Sequence, residues 1–363
     1  PIVEVPDLYK KEFDNGAILM GSTNHKSPTL SISLSFRAGS ITDPANQSGR
    51  AMFYARMFKE STVNHSAEEI SKKLELYGSR ISADANKESF TISLKCLKEH
   101  AQETIAILED LLFRESINQS EFERNVKEHK EFLAYQEDEV DVLANRAFFG
   151  SLYGADHLLG RPTSGLLQEA DNISIESLLK FNNDFLNPEN CHIVCSGDAT
   201  ELESESLLDF INIWQRGNTQ VPNVQPAKYA NGSKIYIRHK EAAPQSEIRI
   251  GYPAMPYSAT EDFYKASIMN YPLGAAFNSR INLNLREDKG YTYGARPYIH
   301  AGRHDGPYVA AAAVAHNVTA QPLKEFMSEI SNYRVNGITP DELEATKTST
   351  VCSYAITYDT TGQ

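Results

Sequence analysis

Residues Asn278 to Ala295 read NSRINLNLREDKGYTYGA. Ile281, Leu283 and Leu285 alternate with polar residues, and an Arg-Glu-Asp-Lys cluster follows at 286–289. Gly290 comes next, then Tyr291 and Tyr293 ahead of Gly294. Glycine adopts a positive φ without a Cβ penalty, so the chain is expected to turn sharply at Gly290 and leave as a strand through Tyr-Thr-Tyr. That geometry aims Arg286 and Tyr293 at one point. An always-charged fork and a phenol together suit a peptide carbonyl or a developing oxyanion. The plainer reading is a solvated helix end followed by an ordinary strand.

Outward from this stretch, the chain repeats itself. Gly78 holds the place of Gly290 in an earlier copy. Asn15-Gly16 opens a strand-like run that reaches Pro28 thirteen residues on, and Asn231-Gly232 does the same as far as Pro244. A strand follows each proline, LSISLSFRAG at 30–39 and SEIRIGYPA at 246–254. INQSEFE at 117–123 matches ITPDELE at 338–344, each with a helix N-cap signal and acidic residues in the first turn. The offsets of 216, 212 and 221 residues agree closely enough to imply two copies of one domain. The expected division is a first domain over 1–214, a Gln-, Pro- and Asn-rich linker over 215–230, and a second domain over 231–363, shorter than the first at its C-terminal end.

In the first copy FTISLKCL at 90–97 reads as a strand. Helices are expected over Glu99–Phe113, from Gln119 to about Leu133, and around Glu176–Phe185. Hairpin-joined strands with helices on one side imply an α+β fold of two homologous two-layer domains, each a mainly antiparallel sheet with helices packed on one face. A length of 363 residues also suits two domains.

A net charge of −13 argues against a nucleic-acid or anionic-membrane surface, and no run of about 18 apolar residues is present to span a bilayer. The opening PIVEVPD shows no signal peptide, so any targeting segment is expected to be absent or removed. Cys96, Cys191, Cys195 and Cys352 form no CxxC pair; Cys191 and Cys195, in the apolar run CHIVC, read as buried thiols. No GxGxxG, P-loop or GxSxG supports a nucleotide-binding or serine-hydrolase reading.

The duplication, the NG…P opening and LREDKGYTYGA, with FRAGS at 36–40, GRA at 49–51, HLLGRP at 157–162 and SGD at 196–198, resemble the insulinase and mitochondrial-processing-peptidase family of zinc peptidases. The resemblance covers essentially the whole chain and implies the LuxS/processing-peptidase-like metallohydrolase fold. Active members carry His-x-x-Glu-His on a helix, where two imidazoles on one face grip zinc and the Glu serves as general base. A Glu on a later helix completes the ligands. Here Met52 and Arg56 stand at the histidine positions and Ala55 at the base, while the later Glu-Glu pair is replaced near Glu128 to Lys130. Arg56 would repel a dication, so no metal site is expected in this chain. His300 and His304, with Asp305 beside them, fall in a glycine-bearing loop rather than on a helix. His25, His65, His129 and His239 fall singly on polar stretches and read as solvated.

The resemblance further implies a zinc-free half that pairs with an HxxEH-bearing half, fused or separate, to enclose a chamber for peptide hydrolysis. Zinc would belong to the partner. Arg286 and Tyr293, with Tyr291 as the fallback, would hold the substrate carbonyl or steady the tetrahedral intermediate. Alone the chain would hydrolyse nothing, and a bacterial periplasm or envelope location would suit it. Two other readings are a non-catalytic scaffold, like the core subunits of respiratory complexes, and a module that captures peptides by strand addition to a sheet edge.

Overall fold

The computed structural model describes residues 6–217, 219–226, 232–258, 261–304 and 306–357. Backbone packing separates two units. One holds the described residues of Ile2–Ala134 and Pro162–Asn223, the other those of Tyr135–Arg161 and Val224–Ala355.

Strict alternation builds the first unit. β1 (Tyr9–Glu12), β2 (Ile18–Thr23), β3 (Thr29–Phe36), β4 (Arg80–Ala85), β5 (Phe90–Leu97) and β6 (Cys191–Gly197) form one sheet in the order β1-β2-β6-β3-β5-β4. Every pairing is antiparallel except the parallel β2–β6 pair. Leu30, Ile32, Leu34 and Phe36 of β3 share the inner face with Phe90, Ile92 and Leu94 of β5 and Ile193 of β6. Against that face pack Phe53 and Tyr54 of the helix Arg50–Met57, Leu108 and Leu111 of Ala101–Leu112, and Leu178 and Phe181 of Ile175–Phe185. Cys191 and Cys195 are buried there, and burial raises both thiol pKa values. The helix expected from Glu99 starts at Ala101 behind a short 3₁₀ turn, Lys98–His100.

The second unit carries β7 (Gln245–Met255), β8 (Ala295–Ile299) and β9 (Gly306–Ala315), antiparallel in the order β7-β9-β8. Ile248, Ala310, Ala312 and Val314 turn inward to meet Phe326 and Tyr333 of the helix Ala320–Asn336. Arg249, on the alternate face of β7, donates from Nε to Asn145 of the helix Val140–Tyr153 at 2.9 Å. That helix therefore packs within the second unit although it precedes β6 in the chain.

The run opening at Gly232 reads as a strand but has no strand partner among the described residues; Asn231 lies outside them. Ile235, Tyr236 and Ile237 are exposed. The first unit shows why. There β2 reaches β3 only through β6, which pairs with both, and the described residues of the second unit hold no counterpart of β6.

Candidate functional site

The three degenerate motif positions lie on the helix Arg50–Met57, and its start is fixed by Gly49 and Asp43. Gly49 has φ +88°, and a Cβ there would meet the Ser164 carbonyl oxygen at 2.4 Å, so only glycine fits. The buried Asp43 carboxylate accepts the Gly49 N–H at 2.8 Å and the Ala51 N–H at 3.0 Å. Given that start, Met52 packs half-buried against the core and Ala55 is buried. Arg56 reaches the surface, its guanidinium carbon 3.9 Å from the Phe132 ring centroid.

Phe132 belongs to the helix Gln119–Gln136, whose first turn is capped by Asn118 Oδ1 accepting from the Ser120 and Glu121 N–H groups. The run EHKEF predicts a solvated histidine, yet His129 is only 2% exposed. The helix turns Glu128 out to Arg124 and Lys130 out to Asp171, and leaves His129 on the inner stripe with Asn125 and Leu133. Its ring centroid lies 5.0 Å from that of Phe53, and neither ring nitrogen has a hydrogen-bond partner among the described residues. Burial, aided by the Arg56 charge, pushes its pKa from the ordinary 6.5 down to about 4. Of the other histidines, His25 pairs with Asp198 and His65 with Asp110, while His239 is exposed. His300 and His304 follow β8 in the loop leading to β9, and Asp305 lies outside the described residues.

In the second unit the alternation at 281, 283 and 285 belongs to a helix. Arg280–Asn282 is α-helical and Leu283–Asp288 π-helical, with the Lys289 N–H reaching Asn284 O at 3.0 Å. Ile281 and Leu285, four residues apart, are buried and Leu283 is exposed, as a helix face requires. Bidentate pairing of Arg280 with Glu342 at 2.6 Å ties this segment to the helix Pro340–Thr357. Arg286 projects from the widened turn, its guanidinium carbon 4.5 Å from the Phe277 ring centroid and its Nε 3.4 Å from Glu287.

Gly290 turns the chain with φ +64°. The strand expected at Tyr-Thr-Tyr does not start there. Thr292 Oγ1 bonds both the N–H and the carbonyl of Gly294, and Ala295 N–H is taken by Asn282 Oδ1, so residues 292–294 form a turn and β8 begins at Ala295. Tyr291 packs half-buried on the second core, whereas Tyr293 is 91% exposed. Among the described residues no hydrogen bond or ring contact joins Arg286 to Tyr293.

Comparison with known families matches residues 19–155 to the insulinase (peptidase family M16) model and residues 172–350 to the peptidase M16 inactive-domain model. The chain belongs to the M16 peptidase family. An uncharacterized zinc protease of Bacillus subtilis, YmxG, is 22% identical over 92% of this chain and 80% of its own length. A non-peptidase homolog YmxG of Helicobacter pylori is 23% identical over 89% and 74%. The crystal structure of a peptidase M16 inactive domain from Pseudomonas fluorescens superposes with a TM-score of 0.89 at 19% identity, over 95% of this chain and 83% of that one, and so shares the fold.

The donor set of this M16 chain at the motif positions does not fit zinc. Met52 offers a neutral thioether, Ala55 offers nothing, and Arg56 brings a cation. A zinc site needs three or four imidazole, thiolate or carboxylate donors, and among the described residues those shown beside these positions are the buried His129 and, near Arg56, the Glu128 carboxylate, too few for a site. Among the described residues no cluster of three His, Cys, Asp or Glu side chains could hold a metal elsewhere. Aromatic and cationic side chains occupy the space instead.

That packing carries a pH signature. His129 is neutral in the folded chain down to about pH 4 but takes a proton near 6.5 when unfolded. The unfolded state therefore binds more protons between those values. Stability is fully present above about 6.5 and declines as the pH falls towards 4. Urea midpoints at pH 7, 6 and 5, read from the fluorescence of Trp214, the single tryptophan and part of this core, should fall more steeply in wild type than in His129→Leu. Parallel slopes would show that His129 is not held neutral.

Proposed function

We propose that this chain is the zinc-free half of an M16 peptidase. It pairs with an HxxEH-bearing half, and Arg286 and Tyr293 act on the peptide held at the partner's zinc. The observation that carries this reading is the state of the two side chains. Tyr293 leaves its phenol free in solvent, and among the described residues Arg286 has only a ring and the adjacent Glu287 for partners. Arg280, six residues earlier, is by contrast held by both oxygens of Glu342. A guanidinium and a phenol held open to a carbonyl can donate to an oxyanion as it forms. The half-burial of Tyr291 favours Tyr293 over it for this task. The water-activating metal and base would come from the partner, since Met52, Ala55 and Arg56 supply neither.

The test is to purify the chain with what it binds in its source cell and to assay peptide cleavage by the chain alone and by the complex. The chain alone should cleave nothing. The complex should contain an HxxEH protein and lose its activity to a chelator. Cleavage by the lone chain in excess chelator, or the absence of any HxxEH partner, would refute the reading; the second result would leave the scaffold role in its place.

A further inference from the structure

Phe277 is a large apolar side chain left 71% exposed, and the Arg286 guanidinium carbon lies 4.5 Å from its ring centroid. An isolated exposed phenylalanine needs no explanation. This one differs because its backbone is held in place from two directions.

The Ala276 N–H bonds Tyr271 O at 2.9 Å and closes the π-helical turn Tyr271–Ala275, so the residue before Phe277 is its cap. Asn282, itself buried, donates from Nδ2 to the Phe277 carbonyl at 2.9 Å and accepts the Ala295 N–H on Oδ1 at 3.0 Å. One amide thus fixes the base of Phe277 to the start of β8. Arg286 leaves a second π-helical turn, Leu283–Asp288, whose extra residue changes the direction in which its side chain departs. Among the described residues the carboxylate paired with it, on Glu287, is its sequence neighbour at 3.4 Å and over half exposed, a contact that solvent weakens.

We infer that Phe277 is the positioning residue for Arg286: its ring is a fixed shelf that holds the guanidinium for substrate while leaving the N–H donors free. This rests on the role proposed above for Arg286. A carboxylate could hold the same side chain, but only by occupying those donors. A ring face attracts the cation through its quadrupole and leaves the edge N–H groups available to a carbonyl oxygen. The attraction also strengthens when a bound peptide excludes water.

The experiment is a double-mutant cycle in the assembled peptidase complex with Phe277→Leu, Phe277→Tyr, Arg286→Ala and the pair Phe277→Leu/Arg286→Ala. Phe277→Leu keeps apolar bulk and removes the quadrupole; it should lower kcat about three- to five-fold with KM nearly unchanged. Phe277→Tyr should restore the rate, and Phe277→Leu should have no further effect once Arg286 is Ala. In the free chain, the Arg286 side-chain protons should show an upfield ring-current shift that Phe277→Leu abolishes.

If Arg286→Ala costs rate but Phe277→Leu does not, or costs the same in both backgrounds, the positioning role is wrong and the role of Arg286 stands. If Arg286→Ala itself changes nothing, the proposed function fails instead. An absent ring-current shift overturns the inference without recourse to activity.

Discussion

Replacing Arg286 by Ala and Tyr293 by Phe together, in the complex with an HxxEH half, is expected to lower kcat about 10²–10³-fold, the range for loss of preorganised oxyanion donors. Unfolding cannot account for such a loss. Tyr293 is 91% exposed, so removing its hydroxyl takes nothing from the core. Arg286 gives up one ring contact and one solvent-weakened ion pair, together about 1 kcal/mol. Circular dichroism, recovery of the partner and its zinc content should all match wild type. Tyr291→Phe provides the control, because Tyr291 packs against the second core and should leave the rate within about two-fold. The ratio of variant to wild-type rates decides the matter: a double variant that cleaves as fast as wild type removes this pair from the chemistry.

What the sequence made legible, and what it hid, divides along physical lines. The first sheet was readable because LSISLSF alternates over a full strand and β5 and β6 repeat the pattern, so one face must be buried. The later helices were readable from their cap signals, Ser/Thr or Asp: Thr339 does accept a first-turn N–H group, whereas in the first copy it is Asn118 rather than Ser120 that does so. Ile281, Leu283 and Leu285 fit either reading, because positions i, i+2 and i+4 satisfy a strand, while i and i+4 alone satisfy the helix end that the stretch before Gly290 also allowed. Only the burial of the outer two decides between them. His129 was hidden by its charged neighbours, although a helical count through Asn125, His129 and Leu133, with Phe122 and Val126 beside them, carries the signal of an inner stripe. Phe277 offered no such signal. Its relation to Arg286 depends on two π-helical turns, and no propensity scale or periodicity marks an inserted residue of that kind. The reading that Met52, Ala55 and Arg56 stand where zinc ligands would be rests on three residue identities alone, and the structure adds only what surrounds them.

The same three positions owe their placement to a carboxylate outside the motif, and its removal should be strongly destabilising. Asp43 is buried with both oxygens committed, Oδ2 to the Gly49 N–H and Oδ1 to the Ala51 N–H. Its second task is electrostatic. Arg50 is also buried, 3.9 Å from the same carboxylate, with one terminal nitrogen on the Thr42 carbonyl at 2.8 Å and its guanidinium over the Phe181 ring. Burial pulls the Arg50 pKa down, and Asp43 is the first group opposing that pull. Asp43→Ala therefore orphans two helix N–H groups and leaves a buried cation with only the weaker counter-charge of Asp184, for an expected loss of about 3–5 kcal/mol. Trp214 lies in the same core, so its fluorescence in urea reads the transition directly. Removing the cation as well separates the two causes. Asp43→Ala/Arg50→Met keeps the cap defect but not the unpaired charge, and should recover part of the loss, leaving about 1–2 kcal/mol. If the double variant is no more stable than Asp43→Ala, the capping bonds rather than the ion pair hold the helix start. If Asp43→Ala costs less than about 1 kcal/mol, neither does, and the Gly49–Ser164 contact alone must set where the degenerate motif begins.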